Sequence, residues 1–285
     1  MKRNMKQWIA EYMASPKKKA MPILSFPGVQ IIGHTVEELV RSGELQAQCM
    51  KAIADRFDAG VAFSLMDLSV EAEAFGSPVH YSADDIPTVN GTMIHDEDEA
   101  EALKVPKVGD GRTGECVAGI KKACELITDR PVLAGIIGPY SLAGRLLDMT
   151  EIMILCYEEP EMVEAVLEKA TEFLIEYAKA FKAAGANGIA MAEPAAGLLS
   201  PNLIDEFSTP YVKRIKEAVE DDELVVLYHS GNASKASHKY YLFFTSCYSS
   251  IQKISCHKKP MCIKHRHDHN IKFTSLTFMY SYCIS

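Results

Sequence analysis

The feature that most constrains the fold is a regular alternation of short apolar runs with longer amphipathic stretches between residues 20 and 229. Short, almost continuous apolar runs predict strands that are buried on both faces, and the amphipathic stretches between them predict helices. This order is typical of βα units arranged around a parallel sheet. Five strands are predicted, at residues 21–26, 61–66, 131–137, 188–192 and 224–228.

Local signals mark the ends of the predicted helices. Ser, Thr or Asp before an apolar stripe and Pro at the first helical position favour a helix start, and Gly favours a helix stop. The signals are a Thr35/Glu38 capping box with a stop near Gly60, a stretch from about residue 114 to 127, a long helix from Pro160 to a stop at Gly185, and a helix that starts at Ser200 and Pro201.

The predicted fold class is α/β, and within it a (β/α)8 barrel that is truncated after about five βα units. The first strand is followed by no nucleotide-binding glycine fingerprint, which disfavours a doubly wound sheet. A barrel of this kind has its active site at the carboxyl ends of the strands. The residues that end each apolar run are therefore the candidate site residues.

Composition changes abruptly between Gly231 and Ala233. The first 232 residues carry a net charge of -15, whereas the last 53 carry +7 and contain no glycine and no glutamate. We therefore divide the chain into an incomplete barrel at residues 1–232 and an unrelated basic tail at residues 233–285. Such a mixture is typical of translation in a wrong reading frame, and a genuine accessory segment is the alternative.

The tail also contains residues that zinc prefers as ligands, but their spacing matches no standard zinc finger, and out-of-frame coding produces such clusters too. The cysteines of the first 232 residues mostly face predicted helix cores and do not indicate disulfides. The tail residues concerned are Cys256, Cys262, His265, His267 and His269.

Charge and hydropathy exclude several classes of protein. With 48% hydrophobic and 24% charged residues the chain is an ordinary globular protein and not a disordered one. No apolar run approaches the length of a membrane span, and the polar residues 1–7 do not begin a signal peptide. A net charge of -8 disfavours binding to nucleic acid or to an anionic membrane. A cytoplasmic location is expected.

Polar residues end four of the predicted strands, so they are expected to meet at one mouth of the barrel. Asp67, Tyr140 and Glu193 are the predicted catalytic residues, and His229 is the predicted metal ligand. Each has a plainer interpretation: an acidic residue can cap the next helix, a tyrosine can pack in a wall, and a histidine can be structural. The predicted substrate-binding residues, Glu71 and Ser141, adjoin these positions.

Four segments resemble the uroporphyrinogen decarboxylase family, and within it the branch of methylcobalamin:coenzyme M methyltransferases. The resemblance covers about residues 20–232 and implies a (β/α) barrel. The segments are Met-Asp-Leu-Ser-Val-Glu-Ala-Glu-Ala-Phe-Gly at 66–76, Gly-Pro-Tyr-Ser-Leu-Ala-Gly at 138–144, Ala-Glu-Pro at 192–194 with Leu-Ser-Pro at 199–201, and Tyr-His-Ser-Gly-Asn at 228–232.

The two branches of the family imply different chemistry. Decarboxylases are expected to have arginines after the first strand, which grip carboxylates, and an aspartate after the second, which binds pyrrole nitrogens. Asp67 matches that aspartate, but residues 25–32 contain no arginine. In the methyltransferase branch a zinc ion binds a small thiol, which takes a methyl group from methylcobalamin or from a corrinoid protein.

His229 matches the histidine of the zinc motif in the methyltransferase branch, but the cysteine expected after it is replaced by Ser230 and Gly231. The resemblance therefore predicts a zinc-dependent methyltransferase that is impaired in this chain. Decarboxylation of uroporphyrinogen, in porphyrin biosynthesis, and an inactive product of a disrupted gene are the alternatives. The family pattern ends where the composition changes, which favours the out-of-frame interpretation of the tail.

Overall fold

The computed structural model of the protein describes residues 3–230. Its centre is a four-stranded parallel sheet with the order β1, β4, β5, β6, and a separate two-stranded antiparallel hairpin is formed by β2 and β3. The strands are β1 Ala62–Phe63, β2 Val79–His80, β3 Thr88–Val89, β4 Val132–Ile137, β5 Gly188–Ala192 and β6 Val225–His229.

Helices follow or precede each strand of the central sheet, as βα units require. They are α1 Met5–Ala14, α2 Ser25–Ile32, α3 Val36–Val40, α4 Gly43–Arg56, α5 Val70–Phe75, α6 Glu97–Ala102, α7 Thr113–Leu126, α8 Pro139–Leu147, α9 Glu151–Glu158, α10 Pro160–Ala183, α11 Pro201–Phe207 and α12 Thr209–Val219, with a short 3-10 helix at Ala195–Leu198.

The strand register aligns the carboxyl ends of the strands. Ile137 lies opposite Ala192, and Ala192 lies opposite His229. The pairing continues one residue further, because the Gly138 N–H donates to the Ala192 carbonyl and the Glu193 N–H donates to the His229 carbonyl, each at 2.7 Å. The residues after β4, β5 and β6 are therefore held at one edge of the sheet.

Each face of the sheet is covered by a different core. The alternation of side chains along a strand places Leu133, Ala190 and Leu227 on one face, where they pack with Met5 of α1. The other face, which includes Ala134 and Ile189, packs against the helices in the larger core around α10. The first face corresponds to a barrel interior, and the second to the layer between sheet and helices.

The predicted first strand is wrong. Residues 21–24 form no regular element, although the Gly60 N–H donates to the Ala20 carbonyl beside β1. Residues 25 and 26 begin α2, which packs closely on α4: a Cβ on Gly28 would lie 2.4 Å from Ile53 Cδ1. Helix α2 ends at Gly33, whose φ of +72° favours glycine. Tertiary packing has thus overridden an apolar run that suits a strand.

Three strand predictions are confirmed to within one residue, at β4, β5 and β6. The predicted strand at 61–66 is reduced to the two residues of β1, although the Ser64 N–H still donates to the Leu133 carbonyl. Its register is continued by a side chain, since the Ser64 hydroxyl accepts from the Gly135 N–H at 2.8 Å.

The helix signals are confirmed with two corrections. Thr35 and Glu38 form the capping box of α3, Thr113–Leu126 is helical, and Pro160 begins a helix of 24 residues that ends at Ala183, just before Gly185. The stretch after Thr35 is divided into α3 and α4, because the Ser42 hydroxyl caps a new helix. The stretch after Ser200 is also divided, at Ser208, but there no side-chain cap begins the second helix.

None of the helices within residues 3–230 is long and apolar enough to cross a membrane. The predicted tail at 233–285, with its cysteines and histidines, lies outside the described residues.

Candidate functional site

Asp67 lies just beyond the end of β1 and is held by three donors. Its Oδ1 accepts from the Ser69 N–H at 3.0 Å and from the Ser69 hydroxyl at 2.6 Å, and its Oδ2 accepts from Arg112 Nη1 at 2.5 Å. The residue is only 6% exposed. Both carboxylate oxygens are therefore engaged within the protein, in a buried pair with a cation.

Arg112 is the site residue that the sequence did not reveal. It precedes α7, and besides Asp67 it contacts Glu73, to whose Oε2 its Nε donates at 2.6 Å, and Ser69, to whose hydroxyl its Nη2 donates at 2.8 Å. We call Asp67, Glu73 and Arg112 the charged cluster. Two carboxylates and one guanidinium give it a formal charge of -1, and the guanidinium fork satisfies both carboxylates at once.

Tyr81 connects the β2–β3 hairpin region to the charged cluster. Its hydroxyl donates to Glu73 Oε1, and its ring lies 5.0 Å from the Arg112 guanidinium carbon. The Arg41 guanidinium carbon lies 3.8 Å from the same ring. Burial, together with the bond to Glu73, raises the pKa of the Tyr81 hydroxyl to about 12. The hydroxyl is therefore a hydrogen-bond donor at neutral pH.

Glu71 and Glu193, which we call the carboxyl pair, have backbone donors instead of a cation. Glu71 Oε1 accepts from the Ile137 N–H at 3.0 Å, and Glu193 Oε1 accepts from the Ser141 N–H at 2.5 Å. The pair therefore holds the turn between β4 and α8 from both sides of Gly138.

The second oxygen of each member of the carboxyl pair, Oε2, has no hydrogen-bond partner among residues 3–230. Glu71 is 1% exposed and Glu193 is fully buried. Burial raises the pKa of Glu71 to about 7 and that of Glu193 to about 8. A carboxyl group that keeps its proton near neutral pH can donate as well as accept a hydrogen bond.

Tyr140 and Ser141 lie at the start of α8, and their side chains point away from each other. The Tyr140 hydroxyl lies 3.7 Å from the Cys156 sulfur on α9, and the ring is fully buried. Burial raises the pKa of the Tyr140 hydroxyl far above neutrality. The Ser141 hydroxyl accepts from the Ala195 N–H at 3.1 Å. This placement favours packing for Tyr140 and a link between α8 and the 3-10 helix after β5 for Ser141. Catalysis and substrate binding by these residues stay predictions.

His229 ends β6 on the face that corresponds to the barrel interior, two residues after Leu227. Burial lowers its pKa, which favours the neutral imidazole that a metal ion binds. Within residues 3–230, however, no group of three His, Cys, Asp or Glu side chains is arranged to hold a metal ion. The described residues therefore do not form a zinc site, and His229 stays a candidate ligand.

The sequence thus identified residues that the fold does bring together. The carboxyl pair meets at the turn after β4, and Glu193 is joined through its backbone to His229. Asp67 is directed instead to Arg112, which follows it by 45 positions. No local pattern marks Arg112, because its partners are supplied by the long connection between β1 and α7.

The family model for uroporphyrinogen decarboxylase (URO-D) matches residues 15–246. This range crosses the change of composition after Asn232. Curated relatives include a methylcobamide:CoM methyltransferase, MtbA, from Methanosarcina acetivorans, which is 29% identical over 70% of this chain and 63% of its own length. A uroporphyrinogen decarboxylase from Anaeromyxobacter dehalogenans is 30% identical over 64% of this chain and 56% of its own.

Among solved structures, a methyltransferase from Methanosarcina mazei matches with a TM-score of 0.70 and 24% identity, over 81% of this chain and 70% of that one. This likeness confirms the predicted α/β barrel fold class. The chain spans about six tenths of the length of the curated relatives named above. Since the family model covers most of the chain, the chain belongs to the uroporphyrinogen decarboxylase family.

Proposed function

We propose that this chain carries the site of a methyltransferase, which moves a methyl group from methylcobalamin or a methylcorrinoid protein to a small thiol. The observation that carries the proposal is the state of Asp67. Both of its oxygens are engaged by Ser69 and Arg112. An aspartate that serves a decarboxylase would have to accept pyrrole N–H groups, and here it would first have to leave a buried ion pair.

The charge of the site supports the same branch. Uroporphyrinogen carries several carboxylates, so its binding needs exposed cations. Arg112 has a side chain that is 6% exposed and is already paired with Asp67 and Glu73, and residues 25–32 contain no arginine. Binding of a small thiol and a corrinoid does not require several exposed cations. The similarity to MtbA, whose name states a CoM methyltransferase, agrees with this choice.

Zinc is part of the proposal only through His229. The neutral imidazole is in the protonation state that binds a metal, but no group of three or more His, Cys, Asp or Glu side chains within the described residues is arranged to hold one. We therefore include zinc binding in the proposal as a property that the test below measures. A cytoplasmic location and the division of the chain at residue 232 are also part of the proposal.

The test is methyl transfer by the full 285-residue chain after incubation with zinc. Methylcobalamin and 2-mercaptoethanesulfonate are supplied, and demethylation of the cobalamin is followed by its absorbance. We expect slow transfer, because the cysteine of the zinc motif is absent after His229. This transfer should be lost in His229→Ala and retained in His80→Ala, because His80 is an exposed residue of the hairpin. Zinc content should fall in the first variant only. No transfer to any small thiol by zinc-loaded protein would refute the proposal.

Decarboxylation is the second candidate, because Asp67 occupies the position expected for that branch and a decarboxylase is among the relatives. Binding of uroporphyrinogen to the full chain, measured by fluorescence of the oxidised porphyrin after separation, decides it. Tight binding that Asp67→Asn abolishes would favour the decarboxylase. The third alternative, an inactive product, predicts neither activity nor a cooperative unfolding transition.

A further inference from the structure

A small cavity lies beside Glu71 in the layer between the sheet and the helices. It has about 10 Å³ of space for the centre of a water molecule. Its walls come from helices α4, α5, α7 and α10 and from the strand side of the layer, and they include Asp67 and Glu71 of the candidate site. The wall residues that matter are Gln46 of α4, Ser64 after β1, Asp67, Glu71 of α5, Cys116 of α7 and Tyr177 of α10.

The cavity has the size and polarity of a site for one water molecule. Internal water needs roughly 10–15 Å³ of such space and between two and four polar partners, whereas apolar cavities stay dry. Five of the six wall residues named above are less than 9% exposed. A polar group that faces this space can therefore reach a partner only inside the protein.

Glu71 Oε2 is the atom that needs such a partner. Glu71 Oε1 accepts from the Ile137 N–H, but Oε2 has no donor within the described residues. A buried polar atom without a hydrogen bond costs about 1–3 kcal/mol. Glu71 is one of the residues that line the cavity, so a molecule bound there lies next to this side chain.

The other polar groups of the wall have partners already. The Ser64 hydroxyl donates to the Leu65 carbonyl at 3.1 Å, and the Gln46 amide donates to the Val40 carbonyl at 3.4 Å. The Tyr177 hydroxyl interacts with the Cys116 thiol. None of these hydrogen bonds is directed to Glu71.

We propose that this cavity is a binding site for one water molecule, which donates a hydrogen bond to Glu71 Oε2. A metal cation fits the site less well, because hard cations take about six or more oxygen ligands. In addition, Asp67, which lines the same cavity, is already paired with the Arg112 guanidinium, whose positive charge disfavours a metal cation nearby. Water needs fewer partners and brings no charge into the protein.

The water influences the ionisation of Glu71 together with the groups that face it. The Asp67 carboxylate disfavours a second negative charge, and Arg112 favours it. Cys116 and Tyr177 stay neutral, because burial raises the pKa of both. A water that donates to Oε2 acts in the same direction as Arg112, since donation to a carboxylate stabilises its charged form.

A crystal structure of the full chain and of two variants tests the proposal. Glu71→Gln preserves a polar group at the cavity, and Glu71→Met has a similar length without one. We expect one density peak in the cavity, within hydrogen-bonding distance of residue 71, in the wild type and in Glu71→Gln, and none in Glu71→Met. A dry cavity in the wild type would overturn the proposal, as would a peak with the ligand number and distances of a metal ion.

A measurement in solution supplements the crystal structure. Magnetic relaxation dispersion of ¹⁷O counts waters that stay bound for longer than the protein tumbles, and we expect one such water fewer in Glu71→Met than in Glu71→Gln. Equal counts in the two variants would contradict the site. If Glu71→Met does not fold, the density in the wild type and in Glu71→Gln decides alone.

Discussion

The charged cluster and the carboxyl pair contain four carboxyl groups at the same end of the sheet, but they differ in what neutralises them. Asp67 and Glu73 share the Arg112 guanidinium, whereas Glu71 and Glu193 are held by backbone N–H groups and, in Glu193, also by the Ser141 hydroxyl. Burial raises the pKa of both members of the pair. The two sets of carboxyl groups therefore differ in their partners, and the pair without a directly bound cation has pKa values near or above neutrality.

This difference separates two kinds of contribution. A buried ion pair stabilises a fold little when compared with an apolar substitute, but loss of one partner is costly. A buried carboxyl group that can be protonated avoids that cost, but its contribution to the free energy of unfolding depends on pH. The four predictions below test this contrast.

The largest effect is expected from Arg112→Met. Removal of the guanidinium leaves Asp67 and Glu73 without a cation, and Asp67 is 6% exposed. We expect a loss of about 3–5 kcal/mol in the free energy of unfolding, measured with urea. Arg112→Lys is the control, and it should lose less because it retains the charge without the fork. A loss below about 1 kcal/mol in Arg112→Met would show that the cluster does not depend on its cation.

Glu71→Gln should remove a dependence of stability on pH. The pKa of Glu71 is raised from 4.5 to about 7, so the folded state binds this proton more tightly than the unfolded state. Its contribution is complete below pH 4.5 and is lost as the pH rises through about 7. The stability of the wild type relative to Glu71→Gln should fall by about 3 kcal/mol across that window.

Urea unfolding of both proteins at several pH values checks this second prediction, and parallel curves would contradict it. The water proposed beside Glu71 would lower the upper end of this pH window, because its hydrogen bond favours the carboxylate. A folded-state pKa of Glu71 below 7, together with density in the cavity, would support both the pH dependence and the bound water.

Gly138→Ala should destabilise the fold through Glu193. A Cβ at position 138 would lie 1.4 Å from Glu193 Oε2, so the buried carboxyl group has to move. We expect a loss of about 1–3 kcal/mol, most of which disappears when the same change is made in Glu193→Ala. Thermal or urea unfolding of the wild type, Gly138→Ala, Glu193→Ala and the double variant gives the coupling energy between positions 138 and 193. Gly114→Ala is the matched control, since its nearest neighbour would be 3.4 Å away.

Tyr81→Phe should have the smallest effect. The substitution removes the hydroxyl that donates to Glu73 and retains the ring between Arg41 and Arg112. We expect a loss of about 1 kcal/mol in the free energy of unfolding. Tyr157→Phe, at a side chain that is 71% exposed, should change stability by less than that. Equal losses in the two variants would place Tyr81 outside the charged cluster.

The sequence predicted best those elements whose signals are local. Gly188–Ala192 is an apolar run between polar turns, and its predicted bounds agree with β5. Pro160 begins α10 for a reason that lies in its own ring, which fixes φ and lacks an N–H donor. Helix α2 could not be predicted in this way, because the contact of Gly28 with Ile53 that secures it comes from another helix.

The sequence indicated where the candidate residues lie but not what they contact. The rule that polar residues end barrel strands led to Asp67, Glu193 and His229, which the structure places after the ends of β1 and β5 and at the end of β6. It could not show that Asp67 is paired with Arg112, because that contact depends on the course of the chain between β1 and α7. The burial of Glu193 is likewise a property of the packed fold and not of its neighbours in sequence.

Helix α1 has a consequence for synthesis of the chain. The Met5 N–H donates to the Asp222 carbonyl at 2.6 Å, and the Met5 side chain packs with Val225 and Leu227. The ribosome adds about 5–20 residues per second, so α1 waits on the order of 10–40 s for β6. Until then Met5 can pack only with the earlier members of its cluster, which include Phe63 and Leu133. Enclosure of α1 is thus completed late in translation, by the last strand that the structure describes.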